Sequence, residues 1–129
     1  MEVKNKKVYI VEDSNIISDL LERFISNTEG YQAKAFCSGE SMIADLENGM
    51  PDIILLDYYL DPAKKGLMNG EQVLQKLQIL GYEIPVIMLT GLQDVIKLER
   101  LKYFNVKHIL NKDRDDIFDK VIQTIKKIE

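Results

Sequence analysis

Three short stretches of the chain are apolar or aromatic at every position: Val8-Tyr9-Ile10-Val11, Ile53-Ile54-Leu55-Leu56 and Val86-Ile87-Met88-Leu89. Unbroken β-branched and aliphatic runs of this length predict strands covered on both faces, as in a parallel sheet. Two other stretches are mixed. Tyr31-Gln32-Ala33-Lys34-Ala35-Phe36 alternates, and Val106-Lys107-His108-Ile109-Leu110 interleaves polar with apolar positions, so both are expected at sheet edges with one wetter face. Between these runs the apolar residues recur at helical spacing. Ile17, Leu20, Leu21, Phe24 and Ile25 fall on one face of a first helix that Gly30 would end. Ile43 and Leu46 mark a second, stopped by Gly49 and Pro51. Val73, Leu74 and Leu77 mark a third that starts near Gly70, and Leu98, Leu101 and Phe104 a fourth. Ile117, Val121, Ile125 and Ile128 mark a fifth, with Asp113, Asp115 and Asp116 at its positive end.

Five alternating strand–helix units predict an α/β fold, a doubly wound parallel sheet of five strands with five helices on its two faces. Buried middle runs and wetter second and fifth strands suit the order 2-1-3-4-5, the flavodoxin-like arrangement. No internal repeat and no Ser/Gly/Pro-rich linker divides the chain, so residues 1–129 are expected to form a single domain. A hydrophobic content of 46% over 129 residues is enough for a real core. The net charge of −4 disfavours a phosphate-backbone binder, so no nucleic-acid contact is expected. The apolar runs are too short to cross a bilayer and the N-terminus has no secretory core, so no membrane association is expected. Cys37 is the only cysteine and cannot form an internal disulfide, which agrees with the reducing cytoplasm. It is expected as a small core or near-core residue.

In such sheets chemistry gathers at the carboxyl ends of the strands. The first strand ends in Glu12-Asp13, the third in Asp57, the fourth in Thr90 and the fifth in Asn111-Lys112. Three carboxylates at close range need a counter-charge, and a hard divalent cation with oxygen ligands supplies it. Mg²⁺ suits a site with few carboxylates and several retained waters. A cation there would also neutralise an incoming phosphoryl group, while the Thr90 hydroxyl and the Lys112 ammonium offer a hydrogen bond and a charge to its oxygens. Asp57, alone at the end of the central strand, is the candidate nucleophile of an acyl-phosphate site.

These landmarks, in this order and at these strand ends, resemble the receiver domain of two-component response regulators (CheY-like), over nearly the whole chain. The resemblance implies a signalling phosphoacceptor and not an enzyme in the ordinary sense, since it catalyses only its own phosphorylation and dephosphorylation. Asp57 would take the phosphoryl group from a phosphohistidine of a sensor histidine kinase or histidine phosphotransfer protein. Asp13 would ligate Mg²⁺ directly, Glu12 mostly through water, and Asp57 and the Tyr59 backbone carbonyl would complete the protein's ligands. Thr90 and Lys112 would grip the phosphoryl oxygens and report their arrival to a downstream protein target. A dimer through the face from strand 4 to helix 5 is a further expectation; the output is either a partner or phosphorelay reached by this chain alone, or an effector domain from which it was excised.

Three departures from the family stand out. The loop after Asp57 is lengthened before Gly70 and carries Lys64-Lys65, which reads as a longer surface loop. Asp113 follows Lys112 where the family usually has Pro, often cis; a cis bond to a non-proline residue costs ~3 kcal/mol. Ile109 stands where many receivers carry a switching aromatic, and His108 beside it reads as a half-exposed edge-strand residue. Tyr59 and Leu92 flank the expected path of a hydrolytic water and offer it no carboxylate, which favours a long-lived aspartyl phosphate. Three other readings fit less well. A pseudo-receiver scaffold has no use for clustered like charges, and a flavin protein would not set Glu12-Asp13 where a cofactor phosphate sits. An aspartyl-phosphate phosphatase would need an acid where Tyr59 stands.

Overall fold

The computed structural model describes residues 5–60, 68–91 and 95–128. Five strands, β1 (Lys6–Val11), β2 (Tyr31–Phe36), β3 (Ile53–Asp57), β4 (Val86–Thr90) and β5 (Val106–Asn111), form one parallel sheet in the order β2-β1-β3-β4-β5. The helices are α1 (Asn15–Ser26), α2 (Gly39–Asp45), α3 (Gly70–Ile79), α4 (Val95–Arg100) and α5 (Ile117–Lys127). α2 and α4 each tighten into a 3₁₀ turn, at Leu46–Asn48 and Leu101–Tyr103. This is the doubly wound, flavodoxin-like arrangement expected from the run pattern.

β3 and β4 are buried at every position because each has a parallel neighbour on both sides and helices on both faces. Two apolar layers result. Tyr9, Val11, Ile54, Leu56, Val86 and Met88 face Met42, Val73, Leu74, Leu77 and Leu101. Val8, Ile10, Ile53, Leu55, Ile87 and Leu89 face Leu21, Ile25, Val121 and Ile125. Alternation of side chains along each strand makes both layers at once. Side chains set the helix starts: Ser14 accepts the Ile17 N–H, Ser38 accepts the Ser41 N–H, and Asn69 and Gln72 form a reciprocal capping box on α3.

Some details differ from expectation. Leu20 and Phe24 are exposed, because α1 turns Ile17, Ser18, Leu21 and Ile25 toward the sheet; the Phe24 ring stacks instead on Phe118 of α5, centroids 4.9 Å apart. Cys37 is exposed, not near the core: it follows the last residue of an edge strand. Asp116 precedes α5 but makes no side-chain cap, its carboxylate being held by the Arg114 guanidinium at 2.9 and 3.1 Å. His108 is half-buried on β5, as expected. No cis peptide occurs among the described residues, so the Lys112–Asp113 bond is trans, and the Asp113 N–H donates to Asn111 Oδ1 at 2.9 Å, a bond that Pro could not make. Lys64, Lys65 and Leu92 lie outside the described residues.

Candidate functional site

The sheet register brings the polar strand ends together. Val11 pairs with Leu56, so Glu12 and Asp57 emerge side by side from β1 and β3. Asp57 pairs with Leu89, and Thr90 with Asn111, so Thr90 and Lys112 emerge next along the same carboxyl edge. Strands of one direction, each ending at a similar level, therefore build the site without any local sequence motif.

Glu12, Asp13 and Asp57 each offer a carboxylate oxygen, and these atoms lie within 4.8 Å of one another. Glu12 and Asp57 are each only 2% exposed. The Lys112 ammonium bonds Asp57 Oδ2 at 3.1 Å and lies 3.7 Å from Glu12 Oε1. The Tyr59 N–H donates to Asp57 Oδ1 at 3.1 Å, and the Asp13 N–H to Glu12 Oε2 at 3.0 Å. Thr90 is buried, and its carbonyl accepts the Lys112 N–H at 3.3 Å.

The electrostatics follow from this crowding. Burial, then the hydrogen bond and charge of Asp57, push Glu12 up to about 8, and Lys112 offsets only part of the rise. Burial works against the charged form of Lys112, but the Asp57 and Glu12 carboxylates outweigh it and raise its pKa. One ammonium is not enough charge for three carboxylates. The donor set, all oxygen and short of positive charge, fits a hard divalent cation such as Mg²⁺. Among the described residues, no other group of acids, His or Cys is gathered closely enough to hold a metal.

The structure thus brings together Glu12, Asp13, Asp57, Thr90 and Lys112, with Tyr59 immediately beside Asp57. The Tyr59 side chain is 51% exposed and lies edge-on to Tyr58, centroids 5.1 Å apart. Ile109 is exposed on β5. Two features had no sequence signal beyond a helix-opening glycine. The Gly70 N–H donates to the Tyr58 carbonyl at 3.1 Å, and the space where its Cβ would stand is filled by Asp57 and Tyr58 backbone. A cavity of about 590 Å³, lined by Leu77, Tyr82, Pro85 and Phe104, opens at the opposite edge of the sheet and has no part in the acid cluster.

Comparison with known proteins bears on the family and the fold. The response regulator receiver domain family matches residues 8–123. A CheY-like receiver from Methanospirillum hungatei JF-1 superposes with a TM-score of 0.81 at 22% identity, over 96% of this chain and 93% of that one, a likeness of fold. The N-terminal domain of a response regulator/sensory box/GGDEF protein from Carboxydothermus hydrogenoformans is 26% identical, with a TM-score of 0.77 over 95% of this chain and 93% of its own. The signal receiver domain of a modulated diguanylate cyclase from Desulfovibrio desulfuricans G20 is 27% identical, with a TM-score of 0.77 over 97% and 94%.

Proposed function

Given that the chain belongs to the response regulator receiver domain family, we propose that it is a phosphorylation-switched signalling module whose acceptor is Asp57. One observation carries the assignment: the Asp57 carboxylate is buried at the end of the central strand, grouped with two further acids and held by one ammonium. A carboxylate so placed is a nucleophile aimed at the sheet edge, with positive charge waiting for the oxygens it would acquire.

In the reaction an Asp57 carboxylate oxygen attacks phosphorus in line, and the P–N bond to a donor imidazole breaks. The new O–P bond makes an aspartyl phosphate, and the imidazole keeps the electron pair and takes a proton. Lys112, already on Oδ2, pairs with a phosphoryl oxygen. The Thr90 hydroxyl, from the neighbouring strand, hydrogen-bonds another. The Tyr59 N–H on Oδ1 fixes the carboxylate's orientation before attack. Glu12, Asp13, Asp57 and the Tyr59 carbonyl would hold Mg²⁺, which when bound supplies the charge that neutralises carboxylates and phosphoryl oxygens together.

The donor would be a sensor histidine kinase or histidine phosphotransfer protein, and the product would act on a downstream protein. Self-association through the β4-to-α5 side goes with this reading, since Ile96, Tyr103 and Ile109 are exposed there. The remaining expectations, one domain over residues 1–129 and a cytoplasmic site of action, belong to the same proposal; among the described residues no helix is long and apolar enough to cross a membrane.

The test is intact mass after incubation with acetyl phosphate and Mg²⁺. The wild type should gain one phosphoryl group and Asp57→Asn none, while both melt cooperatively. A variant that still gains the group at the wild-type rate would move the acceptor elsewhere.

A further inference from the structure

Glu40 lies in the first turn of α2, on a different element from every residue of the acid cluster. Its Oε2 accepts the backbone N–H of Met68 at 2.9 Å. Its Oε1 is buried and, among the described residues, meets no hydrogen-bond donor. Burying one carboxylate oxygen unpaired costs free energy, so the bond made by the other carries the whole return for bringing the group inside.

What that bond holds is a short lever to the acceptor. Met68 packs against the core layer of β1, β3 and β4. The next residue, Asn69, caps α3, and Gly70 follows. A Cβ at Gly70 would stand 2.7 Å from Tyr58 Cα and 2.9 Å from the Asp57 carbonyl oxygen. The α2 end of the lever is equally fixed. Ser38 caps α2, and Gly39 abuts the side chain of Val73 on α3 so closely that a Cβ would collide with it. Only Asn69 therefore separates the residue held by the Glu40 bond from the point where backbone presses on the residue expected to react.

We propose that Glu40 is a positioning residue for phosphorylation. By holding the Met68 N–H it fixes where Gly70 bears on Asp57 and Tyr58, and through them the direction of the Asp57 carboxylate and of the Tyr59 carbonyl. The proposal rests on the phosphoacceptor reading above. A misplacement well under an ångström at a reacting group is enough to slow a transfer that depends on in-line approach.

Glu40→Ala and Glu40→Gln in the full chain separate positioning from mere stability. Ala removes the acceptor, whereas Gln keeps an oxygen for Met68. Three quantities are read: the melting temperature, Mg²⁺ affinity by titration followed through NMR shifts, and the rate of phosphorylation by acetyl phosphate at saturating Mg²⁺. Well below its melting point, Glu40→Ala should phosphorylate about five- to tenfold more slowly and bind Mg²⁺ several-fold more weakly, with Glu40→Gln within about twofold of wild type. If Glu40→Ala merely melts earlier while Mg²⁺ affinity and rate are unchanged, the proposal is wrong. It is equally wrong if Gln impairs both as much as Ala does. The Mg²⁺ titration needs no phosphoryl donor. A wild type that binds Mg²⁺ but takes no phosphoryl group therefore defeats the phosphoacceptor reading, while the ranking of the variants in Mg²⁺ affinity still decides the positioning. A wild type that takes neither Mg²⁺ nor a phosphoryl group defeats both.

Discussion

Replacing Gly70 by Ala tests how the fold holds the candidate acceptor. Gly70 does not adopt a left-handed conformation, so what it provides is space and not backbone freedom. The added methyl would meet Tyr58 Cα at 2.7 Å and the Asp57 and Tyr58 carbonyl oxygens at 2.9 Å. All three are backbone atoms, so no side chain can swing away. The nearest must retreat by about 0.7 Å to reach ordinary contact, and β3 is buried along its whole length with neighbours on both sides. Overpacking of this kind costs about 1–3 kcal/mol. For a chain of this size each kcal/mol lowers the melting temperature by roughly 3–4 °C, so Gly70→Ala should melt about 3–12 °C below wild type. Gln75→Ala, on the exposed side of α3, is the matched control and should change little. Because the displaced atoms include the Asp57 carbonyl, phosphorylation by acetyl phosphate should also slow, even well below the melting point. A Gly70→Ala protein that melts with wild type and is phosphorylated equally fast would refute the claim that this contact constrains the acceptor.

The remaining predictions concern the charged groups. Glu12 keeps its proton in the folded, metal-free protein up to about 8, whereas the unfolded chain releases it near 4.5. Across that window only the folded state binds the proton, so stability should fall as pH rises from about 4.5 to about 8 and level off above. Melting curves in chelator should show the decline, flattened in Glu12→Gln, and Mg²⁺ should raise the melting temperature more on the alkaline side. Lys112→Ala leaves the buried Asp57 carboxylate, with Glu12 beside it, without its ammonium; it should lower the metal-free melting temperature and give a larger rescue by Mg²⁺ than in wild type. The same variant should still accept phosphate but lose the beryllofluoride-induced NMR shifts at Thr90 and along β5, and retention of those shifts would show that Lys112 is not the link. Tyr59→Asn puts an amide beside the acceptor in place of a half-exposed ring and should hasten decay of the loaded phosphoryl group several-fold. Decay at the wild-type rate would show that this side chain does not gate water.

Much of this molecule is written in its local pattern. The runs Val8–Val11, Ile53–Leu56 and Val86–Leu89 carry their burial in their composition, and the mixed runs 31–36 and 106–110 are edge strands for the same reason. Once the strands are parallel and ordered, the acids that end them must share one edge, so Glu12, Asp13, Asp57, Thr90 and Lys112 could be gathered from sequence alone. Their roles entered by resemblance to a family, not by spacing. Tertiary structure decided what depends on how elements cross. Leu20 and Phe24 belong to the apolar stripe of α1, yet the packing of that helix leaves them outside. Cys37 looks like a core residue by type and is exposed by position. The Tyr59 amide on Asp57, the pressure of Gly70 on Tyr58 and the Glu40 bond to Met68 have no signature in the chain. A periodic pattern records how much of a residue is covered, because burial is a local average over many neighbours. Which backbone atom stands 2.7 Å from a missing Cβ depends on the relative placement of β3 and α3, and only the packed fold fixes that.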